Sequence, residues 1–542
     1  IVLLHPSILE NEFQPILKSL FDSLNNITPQ SHEVIHSYIQ TWDSKTFLHF
    51  LKIFRQYIIG RMNQSSIKDA RIGVKCLDML HTAYQKQSNL QVEISLSEFY
   101  ISNISEYLLI PETRRKEYQL WLHDLGTTNT TSYIPPTHGV DRHTLQSFIS
   151  FPYILTPGIK ASIIELDAAV QMRQGMHQEY EEAVASGSQF MSPYLVLRIR
   201  RSHIVSDTVN HFVAISENDY KKPLKVIFDS EEGVDAGGVR KEFYQIMMKE
   251  LLDPNYGMFK YYPESHLLWF NSDSFESEAE FELIGILLGI AIYNSIIVDF
   301  RMPKVIYKKL KGEQTTLQDL AELQPDLAKG LEKLLTFNGD VQSTFQFNFQ
   351  ISYESLGEIH TINLKDDGAN IMVTNENREE YVALYVDYIL NTSVLNQFQA
   401  FHRGFGRVCG GAALDLFTSS ELELLICGNP VLDFHELQRG TRYEDGYDGS
   451  ETIIQQFWEV LHSFDEVDKR KFLKFISASD RSPIDGLAQM NFVISKNGND
   501  DTRLPSAHTC FNHMLLPQYS TKEILEQKLR YCIQEAEGFG LR

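Results

Sequence analysis

The residues best suited to chemistry lie in Leu504-Pro505-Ser506-Ala507-His508-Thr509-Cys510-Phe511-Asn512, a polar, turn-prone segment with a cysteine 32 residues before the terminal Arg542. A free cysteine usually behaves as a small buried hydrophobe; its reactivity, not its packing, marks the exception. A loop thiol can be reached by another macromolecule, and nearby donors favour the thiolate that does chemistry. On the segment alone two readings stand: a half-buried structural cysteine, or a reactive one.

The remaining cysteines, Cys76, Cys409, Cys427 and Cys532, bring the number to five, widely scattered and never in a C-x-x-C pair. That argues against a disulfide framework and against a zinc site, and fits a reducing intracellular compartment. Cys532 shares a helical face with Leu525, Leu529, Ile533 and Ala536 and reads as core filling. Gly404, Gly406, Gly410 and Gly411 lack the spacing and the strand-turn-helix setting of a dinucleotide loop. No G-x-x-x-x-G-K-[ST], H-E-x-x-H or G-x-S-x-G string occurs, so phosphate-loop, zincin and serine-hydrolase chemistries have no support.

A chain of 542 residues holds roughly two to four domains. Its formal charge of −22 repels nucleic acid and anionic lipid at long range, so neither is an expected partner. No apolar run reaches the roughly 20 residues of a membrane helix. Leu283 to Ile292 is too short and reads as a buried helix. Ile1 opens no charged-then-apolar leader, and the expectation is a piece of a longer intracellular protein, cytoplasmic or nuclear.

The elements that must hold Cys510 follow from periodicity. Residues 1–125 read as amphipathic helices, with Phe13 to Leu24, His36 to Ile58 and Arg71 to Tyr84 at helical spacing. They form a scaffold or docking surface. Residues 126–150, with Pro135-Pro136 and Gly139, read as a linker. Beyond them 194–200 and 224–228 read as strands, and 239–252 and 278–294 as helices. The last opens on a Ser277/Glu280 capping box, with Gly285 and Gly289 permitting close helix packing. Gly428-Asn429-Pro430 punctuates the chain and can serve as a hinge. After it come helices at 450–464 and 469–476, a strand at 491–495, and a final helix starting at Ser520, boxed by Glu523 and stopping at Gly538.

Several strings together resemble one family. Leu504 to Asn512 is similar to the active-site loop of HECT-type ubiquitin ligases. So are Phe228 to Phe243 (FDSEEGVDAGGVRKEF), Leu268-Trp269-Phe270-Asn271, Leu283 to Asn294, Thr374-Asn375-Glu376-Asn377-Arg378 and Glu423 to Gly428. The resemblance runs in order from about residue 150 to Arg542. Within the family it looks closest to the branch of the E6-associated protein, and residues 1–150 are weakly similar to the helical region that precedes the domain there.

The resemblance implies an α+β, bilobal fold: a helical N-terminal region (1–125), a linker (126–150), a large mostly helical lobe (151–428), a hinge (429–430, with Gly428 before it) and a small α/β lobe (431–542). It implies a transferase that accepts ubiquitin from a ubiquitin-conjugating enzyme as a thioester on Cys510 and passes it to lysines of protein substrates, with no cofactor and no metal. His508, Thr509 and the near-terminal Phe539 are the implied supporting residues. Glu231, Glu242 and Asp299 match acidic positions tied to activity, though each could equally be a salt-bridge or cap residue. Leu327, Leu331 and Leu334 recur at i, i+4, i+7, ordinarily a core stripe. The resemblance instead places them, with Phe337, Phe345 and Tyr381, in the groove that receives the conjugating enzyme; Phe347 follows closely. Ala478 and Asp485 stand where the family has glycines, and a positive φ at Ala478 would strain the backbone. Two other readings remain: a cysteine hydrolase, for which His508 is too near in sequence to be an obvious partner of the thiol, and a scaffold that binds conjugating enzymes without transfer.

Overall fold

A computed structural model describes residues 13–86, 94–126, 146–186, 192–215, 217–229, 238–355 and 357–535. The chain divides into two compact units, Ile1–Asp167 and Ala168–Arg542.

The first unit is helical. Helices Gln14–Asn25, Pro29–Ile39, Ser44–Asn63 and Ile67–Gln85 bury Phe21, Phe47, Leu51, Tyr57 and Leu77, with the Phe21 and Tyr57 rings stacked at 4.1 Å. The continuous helix expected over His36 to Ile58 is broken between Ile39 and Ser44. Asp43 causes the break: its carboxylate accepts the Thr46 N–H at 2.8 Å and so caps a new helix. The boundary also differs from the expected one, because residues 146–167 pack with this unit. Arg71 is buried against Glu117 and the Gln146 carbonyl. Glu117 in turn accepts from Ser147 Oγ at 3.0 Å and Phe148 N at 3.1 Å. A buried ion pair persists only when its remaining lone pairs are satisfied, and this segment supplies the donors.

In the second unit the sequence Leu283 to Ile292 is apolar all round and forms most of the buried helix Glu278–Tyr293. Ser277 and Glu280 make the expected capping box, with Ser277 N donating to Glu280 Oε2 at 2.8 Å. The helix crosses Leu395–Cys409 with backbones in contact. A Cβ on Gly285 would lie 2.1 Å from Phe401 O, and one on Gly404 would lie 2.0 Å from Glu282 O. Gly285 and Gly404 therefore serve helix packing. Among the described residues no helix is long and apolar enough to cross a membrane. A parallel strand pair, Leu195–Ile199 with Leu224–Phe228, lies in the same unit.

Residues beyond Pro430 build a core of their own, including Phe457, Leu461, Phe472, Ile494, Met514 and Leu529. Its sheet has the order Arg442–Glu444, Val493–Lys496, His513–Leu516, Ser506–His508. The first three strands run parallel and the last antiparallel. The final helix spans Lys522–Glu535. Its cap is Thr521, whose Oγ1 accepts from Ile524 N at 3.3 Å, rather than Ser520. Ser520 turns to Asp501, with Oγ to Oδ2 at 2.6 Å. Gly538 and Ala536 lie outside the described residues.

Candidate functional site

Cys510 sits at the centre of a short turn, Thr509–Phe511, between the antiparallel strands Ser506–His508 and His513–Leu516. Its side chain is outside the described set, but the frame around it is defined. Asn512 closes the turn at φ +50, in the left-handed region that asparagine tolerates better than most residues. Its Nδ2 donates to Met490 O at 2.7 Å, and its carbonyl accepts Val493 N at 3.0 Å. His508 is exposed, with its ring 5.9 Å from that of His513, and Thr509 is half-buried. His513 meets Ser495 Oγ at 2.8 Å. Pro505 is buried behind the turn, its carbonyl accepting from Cys532 Sγ at 3.5 Å.

The other four cysteines are buried. Burial pushes the Cys76 thiol up to about 12 and those of Cys427 and Cys532 to about 11, and raises Cys409 further. Desolvation penalises the thiolate, so these sulfurs stay protonated and inert near neutral pH.

The helix Gly238–Leu251 packs against the Cys510 turn. It carries Glu242, whose carboxylate accepts from Arg201 Nη1 at 2.8 Å. Next to it Lys241 Nζ reaches Asn512 Oδ1 at 3.4 Å. Asp299 is exposed and held by Arg301 at 3.1 and 3.2 Å, beside Val298, whose N–H donates to Ile426 O at 2.9 Å. Glu242 thus shares the helix that packs against the turn but is paired with Arg201, and Asp299 lies beside the Ser419–Cys427 helix. Glu231 and Phe539 lie outside the described residues.

The apolar stripe divides. On the helix Pro325–Thr336, Leu331 and Leu334 are 5% and 1% exposed, and Tyr381 is 4% exposed, so these three are buried. Leu327, Phe337 and Phe345 remain partly accessible, and Phe347 is 44% exposed. The rings run in series: Phe337 to Phe345 at 5.2 Å, Phe345 to Phe347 at 5.7 Å and Phe347 to Tyr381 at 6.3 Å. Phe347 is thus part of the aromatic row as well as a neighbour in sequence. The string Thr374 to Arg378 holds this row in place. Arg378 Nη1 donates to Phe337 O at 2.7 Å and Leu334 O at 3.3 Å, closing the helix C-terminus. Asn375 accepts from Val341 N at 3.0 Å and donates to Gly339 O at 2.9 Å.

At the expected hinge, Gly428 has φ +80. Asn429 and Pro430 are strapped to the smaller lobe: Asn429 bridges to Ser482, and Arg470 Nη2 donates to Pro430 O at 2.7 Å. Arg481 Nη1 crosses back to Glu423 Oε1 at 3.3 Å and to Gly428 O at 3.4 Å. Among the described residues, no group of three or more His, Cys, Asp or Glu side chains is placed to hold a metal.

Residues 245–542, more than half of the chain, match the HECT-domain (ubiquitin-transferase) family. The chain belongs to the HECT family. The HECT assignment is matched by curated relatives. The chain is 36% identical to the human probable E3 ubiquitin-protein ligase HERC4 over 98% of its own length and 51% of that protein. It is 34% identical to the human probable E3 ubiquitin-protein ligase HECTD2, over 100% of the chain and 70% of that protein. It is 36% identical to the fission yeast probable E3 ubiquitin-protein ligase mug30 over 73% of the chain and 52% of that protein. The chain thus spans about half the length of the HERC4 relative. The α+β architecture, with small sheets set among helices and a C-terminal portion that has its own core, is that of a bilobal HECT domain.

Proposed function

We propose that this HECT chain acts as an E3 ubiquitin ligase, with Cys510 as the carrier. The Cys510 thiolate attacks the thioester carbonyl of ubiquitin on a conjugating enzyme; a new C–S bond forms and the old one breaks, its electron pair leaving on the conjugating enzyme's sulfur. A neutral substrate amine then attacks the new thioester. The C–N bond forms, the C–S bond breaks with its pair returning to Cys510 Sγ, and the amine's proton goes to a base or to water. Thioester exchange is nearly balanced in energy, so the step on Cys510 calls on neither ATP nor a metal. A lysine has a reference pKa of about 10.4, so a carboxylate such as Glu242, Glu231 or Asp299 near the thioester aids its deprotonation. His508, Thr509 and Phe539 support the turn and the transfer.

The observation that carries the reading is the placement of Cys510 in a strand-to-strand turn while the other four cysteines are buried. The partners are ubiquitin, a conjugating enzyme held at Leu327, Phe337, Phe345 and Phe347, and protein substrates in the cytoplasm or nucleus. A finer placement beside the E6-associated protein rests on the quoted strings. Charging the chain with activating enzyme, conjugating enzyme, ubiquitin and ATP tests the function. A thiol-labile ubiquitin adduct lost in Cys510→Ala, and lost or converted to a thiol-stable ester in Cys510→Ser, is expected. Cleavage of preformed ubiquitin chains would instead identify a hydrolase, and neither result a scaffold.

A further inference from the structure

The Cys510 turn belongs to the small lobe, yet its closing residue is held by a side chain of the large one. Asn512 is separated from Lys241 by 271 positions, and Lys241 Nζ lies 3.4 Å from Asn512 Oδ1 at a part-buried site. The same Asn512 spends its Nδ2 on Met490 O, its N–H on Thr509 O and its carbonyl on Val493 N, so it has few ways left to move independently of the turn. A cation pulling on Oδ1 therefore acts on the backbone that presents Cys510. The helix bearing Lys241 packs against Thr509–Phe511, and its next residue is Glu242. The Lys241–Asn512 contact thus sets the turn against the helix that carries Glu242.

We propose that Lys241 is a positioning residue for the second half-reaction. It acts through Asn512 to seat the loaded Cys510 turn against the Gly238–Leu251 helix while the substrate amine attacks. The inference rests on Cys510 being the ubiquitin carrier. The first half-reaction draws ubiquitin from an enzyme docked at the Phe337–Phe347 row, and the Lys241–Asn512 contact has no part in that docking. Only discharge depends on the clasp. A charge-assisted hydrogen bond that is lost in the transition state lowers a rate by about tenfold.

The test separates the half-reactions in the full chain. Loading of Cys510 is followed in single turnover from charged conjugating enzyme, and discharge is then followed onto free lysine after the charging enzymes are quenched. Lys241→Met is expected to discharge about tenfold more slowly while loading within twofold of wild type, and Lys241→Arg to retain most of the discharge rate. Equal discharge by wild type and Lys241→Met overturns the proposal. So does a parallel fall in both steps, or failure of Lys241→Arg to restore discharge, since either marks a structural role alone. Melting temperatures of the three proteins identify misfolding, and Lys241→Gln supplies a second variant. It keeps a hydrogen-bond donor without the charge, and a discharge rate between those of Lys241→Met and the wild type is required. If the wild type never loads, the carrier assignment itself has failed, a result distinct from normal loading with unchanged discharge.

Discussion

Asn429 and Ser482 exchange both backbone hydrogen bonds, Asn429 N to Ser482 O at 2.8 Å and Ser482 N to Asn429 O at 2.9 Å, with Ser482 fully buried. Asn429, in the expected hinge, is thus tied by its backbone to the small lobe. Gly428 before it has a φ of +80 that other residues rarely adopt. A Cβ there would also lie 2.6 Å from Ser482 O. Gly428→Ala is expected to cost about 1–3 kcal/mol of local strain and to slow ubiquitin transfer to Cys510. Affinity for the conjugating enzyme, read by fluorescence polarisation, is expected to stay unchanged; its loss would show that the groove and the joint are not separate.

The apolar row separates binding from stability. Phe345 is partly accessible, and Phe345→Ala is expected to weaken conjugating-enzyme binding by about 2 kcal/mol, roughly thirtyfold, with little change in melting temperature. Leu334, on the same apolar stripe as Leu327 and Leu331, is 1% exposed. Leu334→Ala is expected to cost about 2–5 kcal/mol of stability through the cavity it leaves. Calorimetry alongside the binding titration distinguishes the two, and the reverse ranking would mean that the row is core and not a docking surface.

Ala478 ends the helix Glu466–Ser477 at φ +63, its N–H donating to Lys474 O at 2.8 Å. This is the left-handed C-terminal cap that glycine usually fills, and a Cβ makes it costly. Ala478→Gly is expected to raise stability by about 1 kcal/mol in urea titrations, with Cys510 loading unchanged. Asp485 needs no such conformation. A neutral or destabilising Ala478→Gly would show that the cap carries no strain.

The first unit has its own pH response. The His81 ring stacks on Tyr153 at 3.8 Å, and burial pushes its pKa down to about 4. A histidine held neutral in the fold contributes stability fully above its unfolded pKa of about 6.5 and loses it as pH falls toward 4. Between pH 7.5 and pH 5 the loss amounts to about 2 kcal/mol. Melting curves of wild type and His81→Phe at these two pH values check the sign: the variant is expected to lose less stability on acidification, and equal losses would refute the assignment.

What the residues disclosed in advance was whatever is local. The helix Glu278–Tyr293 is legible because a capping box opens a continuous apolar run, and both signals lie within the helix itself. The stop at Ile39 is harder to read, since apolar residues keep helical spacing through Trp42 and only the competing Asp43 cap ends it. Thr521 and Ser520 are both plausible caps; the choice falls to Asp501, which takes the Ser520 hydroxyl. Periodicity put Leu327, Leu331 and Leu334 on one face, but spacing says nothing of what covers a face, and two of the three prove to be buried. The Lys241–Asn512 contact joins positions 271 apart, a relation that no local pattern encodes.

The glycine crossing has an evolutionary consequence. A Cβ on Gly285 or on Gly404 would press to 2.1 or 2.0 Å from the backbone of the other helix, at Phe401 O and Glu282 O respectively, so neither position can accept a side chain unless the two helices part. The two glycines answer to the same constraint from opposite helices. Drift that replaces one of them leaves no gain for keeping the other, and the pair is expected to persist or vanish together.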